Sequence, residues 1–151
     1  MKKLLLAIAV VTALYFGLGQ TGHLRQFAGA PTPHAQAVST DQVDELRAAF
    51  TEQESGTQVT GEGIVTKLLA DDTEGSHHQR FILTLSSGQT LLVAHNIDLA
   101  PRLASLKSGD SVEFNGVYEW NAKGGVVHWT HRDPSGRHQA GWLKHAGQVY
   151  Q

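Results

Sequence analysis

The chain of 151 residues contains no cysteine, so it has neither disulfide bonds to stabilise it nor a thiol nucleophile. Its folded part must be held by an apolar core or by a ligand. No serine-nucleophile motif supports a covalent reaction route either. Basic residues are also few where they would matter. Lys2, Lys3 and Arg25 all precede residue 38, which leaves nine of the 12 basic residues against all 14 acidic ones, a net charge of about −5 with histidines neutral. That balance excludes a broad phosphate-neutralising surface for nucleic acid. It leaves room for a narrow site in which a few arginines meet a single anion.

Long apolar runs are absent except for Leu4 to Gly19 (LLLAIAVVTALYFGLG), directly behind Met1-Lys2-Lys3. Residues 1–19 therefore read as a signal peptide or an N-terminal membrane anchor. The run falls just short of the roughly 17 to 25 residues of a spanning helix. The small residues that cleavage needs are badly placed: Ala28-Gly29-Ala30 is followed by Pro31, and Ala35-Gln36-Ala37 lies far downstream. An uncleaved anchor would give the chain its membrane contact. Either reading makes the protein exported, in the periplasm, tethered to the inner membrane or soluble after cleavage.

The remaining chain divides by composition. Residues 20–38 hold Pro31, Pro33 and scattered polar residues without a period, and read as a linker that leaves His23 and His34 solvated. Residues 39–55 predict an amphipathic helix, with Ser39 and Gln42 spaced as a capping box, Val43, Leu46 and Phe50 on one stripe, and Gly56 as the stop. From Val59 the period changes to two. Strands are expected at Gly61–Leu68, His78–Leu85, Gln89–Ile97, a fourth carrying Val112, Phe114, Tyr118 and Trp120 on one side, and Val126 to about His131. Asp98 is placed to cap a short helix over Leu99–Leu106. Three strands, a helix and two strands is the order of an OB-fold barrel, and the glycines of the first strand suit the sharp bend that closes one. The expected class is mainly β: a small OB-fold-like five-stranded barrel over 57–131 with one inserted helix, an N-terminal helix and a C-terminal hairpin extension over 132–151. A two-layer α+β sheet uses the same elements.

The stretches HHQRFILTL, AHNIDLAPRL, GDSVEFNGVYEWN, GGVVHWTH and DPSGRHQAGW follow one another between about Gly61 and Tyr150. In that order the chain resembles a family of small exported bacterial proteins described only as a domain of unknown function with an HWTH motif. The resemblance implies export and a bacterial source. It brings no reaction, substrate or residue role.

Chemistry must therefore come from the residues, and histidine is the abundant one: His77, His78, His95, His128, His131, His138 and His145 lie in the domain. His128-x-x-His131 with His138 resembles a zinc-ligand spacing, so a divalent metal such as zinc is a candidate cofactor. Strand geometry opposes it, because residues three apart point to opposite faces. Asp133-Pro134-Ser135-Gly136 predicts a type I turn with Gly136 at positive φ, the pattern of a three-residue hairpin loop. That register sets Asp133 against Arg137, Arg132 against His138 and His131 against Gln139. A two-residue loop would instead set His131 against His138, where the pair could share a metal.

In the first register Val127 and Trp129 face the core, while His128, Thr130, Arg132 and His138 share an outer face with His78 and Arg80. This His/Arg-rich face, with His95, Trp129 and Asp133 at its margins, is a candidate site for a small anionic ligand or a protein partner. The competing view is ordinary hydrogen-bonded scaffold: His95-Asn96 satisfying a strand end, Trp120, Trp129 and Trp142 serving mainly as core, and His77 and His145 solvated. Two functions stand at this point. One is an exported binding module; the other is a metal-assisted hydrolase of the phosphodiesterase type, for which Asp71-Asp72-Thr73 offers only a weak likeness to calcium-binding OB nucleases. An enzyme should gather these groups in one pocket and a module should spread them over a face.

Overall fold

The computed structural model describes residues 40–151; the expected signal or anchor, the linker, and His23 and His34 lie outside that range. The elements are α1 (Thr40–Thr51), β1 (Thr57–Leu68), β2 (His78–Leu85), β3 (Thr90–Asn96), β4 (Ser111–Glu119), β5 (Val126–His128), β6 (Trp142–His145) and β7 (Gln148–Tyr150). Five of the strands close a barrel. β1 pairs with β2 and with β4, β2 with β3, β3 in parallel with β5, and β5 with β4, so the ring runs β1-β2-β3-β5-β4 and returns to β1. The expected mainly β class and five-stranded OB-like barrel are what the chain adopts.

β1 closes the ring by serving both neighbours in turn. Thr57–Ile64 pairs with β4 and Gly63–Leu68 with β2, with the β2 register shifting between Val65 and Lys67. Such a shift marks a bulge, which bends and twists a strand. Gly61 and Gly63 make the bend possible, since a Cβ at Gly61 would come within 2.6 Å of the Phe114 ring and one at Gly63 within 3.0 Å of the Leu83 Cβ.

Alternation then fills the barrel. Phe81, Leu83, Leu91, Val93, Val112, Phe114, Tyr118, Val127 and Leu143 are fully buried, each worth about 1.5–3 kcal/mol in apolar burial. α1 adds Leu46 and Ala49 to the same core, and Trp120 ties it down by donating its indole N–H to the Phe50 carbonyl at 3.1 Å. The helix stops earlier than Gly56. Gln53 takes a φ of 58°, while Gln53 N donates to Phe50 O and Glu54 N to Ala49 O, the paired bonds of a Schellman cap.

Two expectations on the connections are corrected. Leu99–Leu106 folds as turns and bends rather than as a helix. Its buried residues, Ala100, Leu103 and Leu106, recur every three positions while Leu99 stays exposed, and side chains from the barrel take the backbone bonds a helix would use. Gln79 clamps Leu103 from both sides, Nε2 to Leu103 O at 3.1 Å and Oε1 from Leu103 N at 2.9 Å. Asp98, the expected helix cap, instead accepts from the backbone N–H of His77 at 2.8 Å and meets its ring at 2.9 Å.

The second correction concerns the last strands. The terminal hairpin is β6–β7, turned by Ala146 and Gly147, both at positive φ, rather than a hairpin across Pro134-Ser135. β5 pairs with β4 at Val117↔His128, and β6 resumes along the same edge at Asn115↔Trp142. β5 and β6 are thus two halves of one partner of β4, and residues 129–141 are an excursion out of it.

Candidate functional site

The excursion begins with backbone strain. Trp129 has a φ of 52°, a left-handed conformation that costs a bulky residue about 1–3 kcal/mol and persists only where its surroundings impose it. Those surroundings are close backbone approaches. A Cβ at Gly116 would collide with the His128 carbonyl oxygen, and one at Gly141 with the carbonyl oxygens of Trp129 and Asn115. Gly141 N then donates to His131 O at 3.0 Å and closes the loop's two feet on each other.

The turn at Trp129 inverts the strand's phase. His128 points outward and Val127 inward as expected, but Thr130 is fully buried and Trp129 only half-buried. Thr130 is thereby removed from the expected outer face and meets His95, also fully buried, with its hydroxyl 2.8 Å from Nδ1. His95 Nε2 lies 3.1 Å from the Pro101 carbonyl. A carbonyl only accepts, so Nε2 carries the proton and the threonine hydroxyl donates to Nδ1. Burial pushes the His95 pKa down to about 4, against the opposing Pro101 bond and with help from His131 and His78. His95 is a neutral internal strut that joins β3, the β3–β4 connection and the foot of the excursion.

The outer face keeps His78, Arg80 and His128. Arg80 pairs across the ladder with Ala94 and His78 with Asn96, while the parallel register of Val93 with Val127 carries Ala94 alongside His128. The short side chain of Ala94 therefore lies between the Arg80 and His128 positions on that face. Arg80 is steadied by donating Nε to Ala70 O at 3.0 Å, with Asp72 at 3.8 Å from Nη1. His128 Nε2 stands 3.5 Å from Glu119, a residue with no place in the expected site. Burial lowers the His128 pKa despite that carboxylate, and His78 and His131 lie near enough to act on both His128 and His95.

The three histidines of the expected metal set meet at an indole. The Trp129 ring stacks on His138 at 4.2 Å and 22°, tilts against His131 at 5.3 Å, and lies 6.4 Å from His128. Among the described residues, no three His, Cys, Asp or Glu side chains are gathered as a metal site. His131 is buried, and its Nδ1 donates to its neighbour's carbonyl, Arg132 O, at 2.8 Å. Both proposed hairpin registers fail, because no strand ladder joins 129–133 to 137–141. Asp133 does not pair with Arg137 by charge. It accepts from the backbone N–H groups of Ser135, Arg137 and His138 and from the Ser135 hydroxyl, bonds that hold its carboxyl far below the usual carboxylate range. The turn itself forms, with Gly136 at φ 66° and its N–H on Asp133 O at 3.0 Å. Arg132 is exposed at the head of that loop.

His145, expected to be solvated, is buried, with Nε2 2.8 Å from Asp110 and Nδ1 without a partner among the described residues. Its phase with buried Leu143 was the available signal, as the phase of His95 with Leu91 and Val93 was for the internal strut. His77 is exposed and held by Asp98. The cleft of about 350 Å³ between α1 and the β2–β3 turn is lined by no histidine.

A family model described as "Protein of unknown function (DUF3465)" matches residues 31–151. No curated protein matches the chain.

Proposed function

The chain belongs to that family of proteins of unknown function, and since membership assigns no reaction, we propose from the geometry that it is a non-enzymatic binding module whose outer β2–β3–β5 face takes a small anionic ligand. The observation that carries this reading is the register that sets Ala94 between Arg80 on one strand and His128 on another, with His78 and Asn96 paired two positions further along. A guanidinium edge, imidazole rings and an amide are the donor set that recognises phosphate or carboxylate. The strained Trp129, with its indole stacked on His138, stands at the margin of the same face, and such strain concentrates where ligands are held. These groups are spread over an open surface, an arrangement suited to binding more than to catalysis. In this reading the N-terminal segment, as an anchor or a cleaved signal, sets the module to work outside the cytoplasm.

The test is a titration of the purified protein with inorganic phosphate, followed by amide and imidazole NMR shifts. Saturable shifts at 78–80, 94–96 and 128–129 are expected, with affinity falling about tenfold or more in Arg80→Gln and His128→Gln, the loss of one charge-assisted contact each. Affinity unchanged from wild type in both variants would remove the proposal. Metal analysis of protein made without affinity histidines guards the other side. Stoichiometric zinc lost on His131→Ala or His138→Ala would replace the anion reading with a metal site.

A further inference from the structure

A cleft lies at the opposite end of the barrel strands from the histidines, and no residue of the outer β2–β3–β5 face proposed above lines it. The cleft, about 350 Å³, runs between the C-terminal half of α1, the β2–β3 turn and the β4–β5 turn, and is lined by Arg47, Phe50, Ser87, Gln89, Thr90 and Lys123. That volume is at the lower end of the range for small-molecule sites.

Its walls are fixed by a small polar frame. Gln89 Nε2 donates to Gly124 O at 2.8 Å and Thr90 Oγ1 to Lys123 O at 3.1 Å, which pins the β4–β5 turn against the β2–β3 turn. Gly124, at φ 116°, must be glycine there, since a Cβ would collide with the Thr90 carbonyl. Gln89 Oε1 is buried and has no donor among the described residues.

The charge of the cleft is opposite to that of the domain. Lys123 makes no ion pair among the described residues, and Arg47 has only Asp44, 3.8 Å away and exposed. Two cations thus flank the cleft in a domain with net charge of about −5. Phe50 supplies an apolar wall between them.

We infer that this cleft is a second ligand site, for an organic anion: a carboxylate or phosphate monoester head met by Arg47 and Lys123, on an aromatic or aliphatic body laid against Phe50. The inference stands apart from the Ala94 face, whose residues it does not share. Phenyl phosphate is the probe, with inorganic phosphate and phenol as controls, titrated into the protein while amide shifts are recorded. The expected result is saturable shifts at 87–90 and 122–124, with phenyl phosphate binding about tenfold more tightly than either control and each of Lys123→Gln and Arg47→Gln weakening it about fivefold. His128→Gln leaves these shifts unchanged, which separates this site from the outer face. Shifts that stay linear to about 10 mM, or that persist in the double variant, overturn the inference.

Discussion

Between pH 6.5 and 4, acid should destabilise this protein mainly through one residue. His95 is fully buried, neutral, and bonded through both ring nitrogens, with its pKa pushed down to about 4 from an ordinary 6.5. Because the unfolded chain binds the proton first, stability is fully present above pH 6.5 and declines as pH falls toward 4, below which both states are protonated. At about 1.4 kcal/mol per pH unit, the full window is worth about 3 kcal/mol, a large fraction of the stability of a domain this size. His128, also lowered, has the same sign. The lowered carboxylates Asp98, Asp110 and Asp133 act mainly below pH 4.5. The assay is urea unfolding of wild type and His95→Gln at half-unit steps from pH 7.5 to 4.5. The variant is less stable at pH 7.5, and the gap between the two should close by about 2 kcal/mol by pH 4.5 as the wild type loses its His95 contribution. Parallel profiles would refute the reasoning, because they would mean that His95 titrates alike in both states.

Thr130→Val keeps shape but leaves His95 Nδ1 buried without a donor, and should cost about 1–3 kcal/mol by chemical denaturation. Gly141→Ala sets a Cβ against two backbone carbonyls, so a loss of about 1–3 kcal/mol is expected in thermal unfolding, larger than for an alanine placed at open Gly136. Asp133→Ala should strip hydrogen-exchange protection from the amides of Ser135, Arg137 and His138 while the β2 and β3 amides stay protected. His138→Ala uncovers the Trp129 indole and should change its fluorescence with little change in stability.

The barrel was readable because alternation is a local signal. The β2 bounds, the buried parity of Phe81, Leu83 and Leu85, and the Asp133–Gly136 turn follow from residue types and spacing alone. The break after His128 does not. A tryptophan at positive φ has no local signature in sequence, since it goes with close backbone approaches at Gly116 in β4 and at Gly141 just before β6. Everything downstream of it, including the inversion that buries Thr130 and the re-entry of β6 beside β4, inherits that hidden step. The connection after β3 misled for a related reason. Asp98 and the leucine spacing resemble a capped helix, and only the folded barrel reveals that Gln79 and His95 claim the backbone groups of Pro101 and Leu103. The outward placement of His78, Arg80 and His128 followed from phase. Glu119, Gln79 and the pairing of Thr130 with His95 needed the third dimension.

The HWTH stretch thus divides its labour. Thr130 and His131 point inward as anchors, and His128 and Trp129 present the excursion to solvent. A chain without cysteine has no covalent means of fixing a loop that leaves a barrel strand and returns to it. Here a buried hydrogen bond from Thr130 to His95 and the glycine contacts of Gly141 do so, and buried polar pairs of this kind fix one arrangement only while both partners are satisfied. Protonation of His95 turns Nδ1 from acceptor to donor, so the Thr130 hydroxyl must reverse its role, and it places a charge in a desolvated site. Apart from His95 itself, the buried side chains of β1–β4 include no histidine, aspartate or glutamate. The loop should therefore loosen before the barrel does: at pH 4.5, amides of 129–141 are expected to lose exchange protection while those of β2 and β3 keep it. Simultaneous loss across both sets would show that the excursion and the barrel are one cooperative unit, and that His95 anchors the whole domain and not the loop alone.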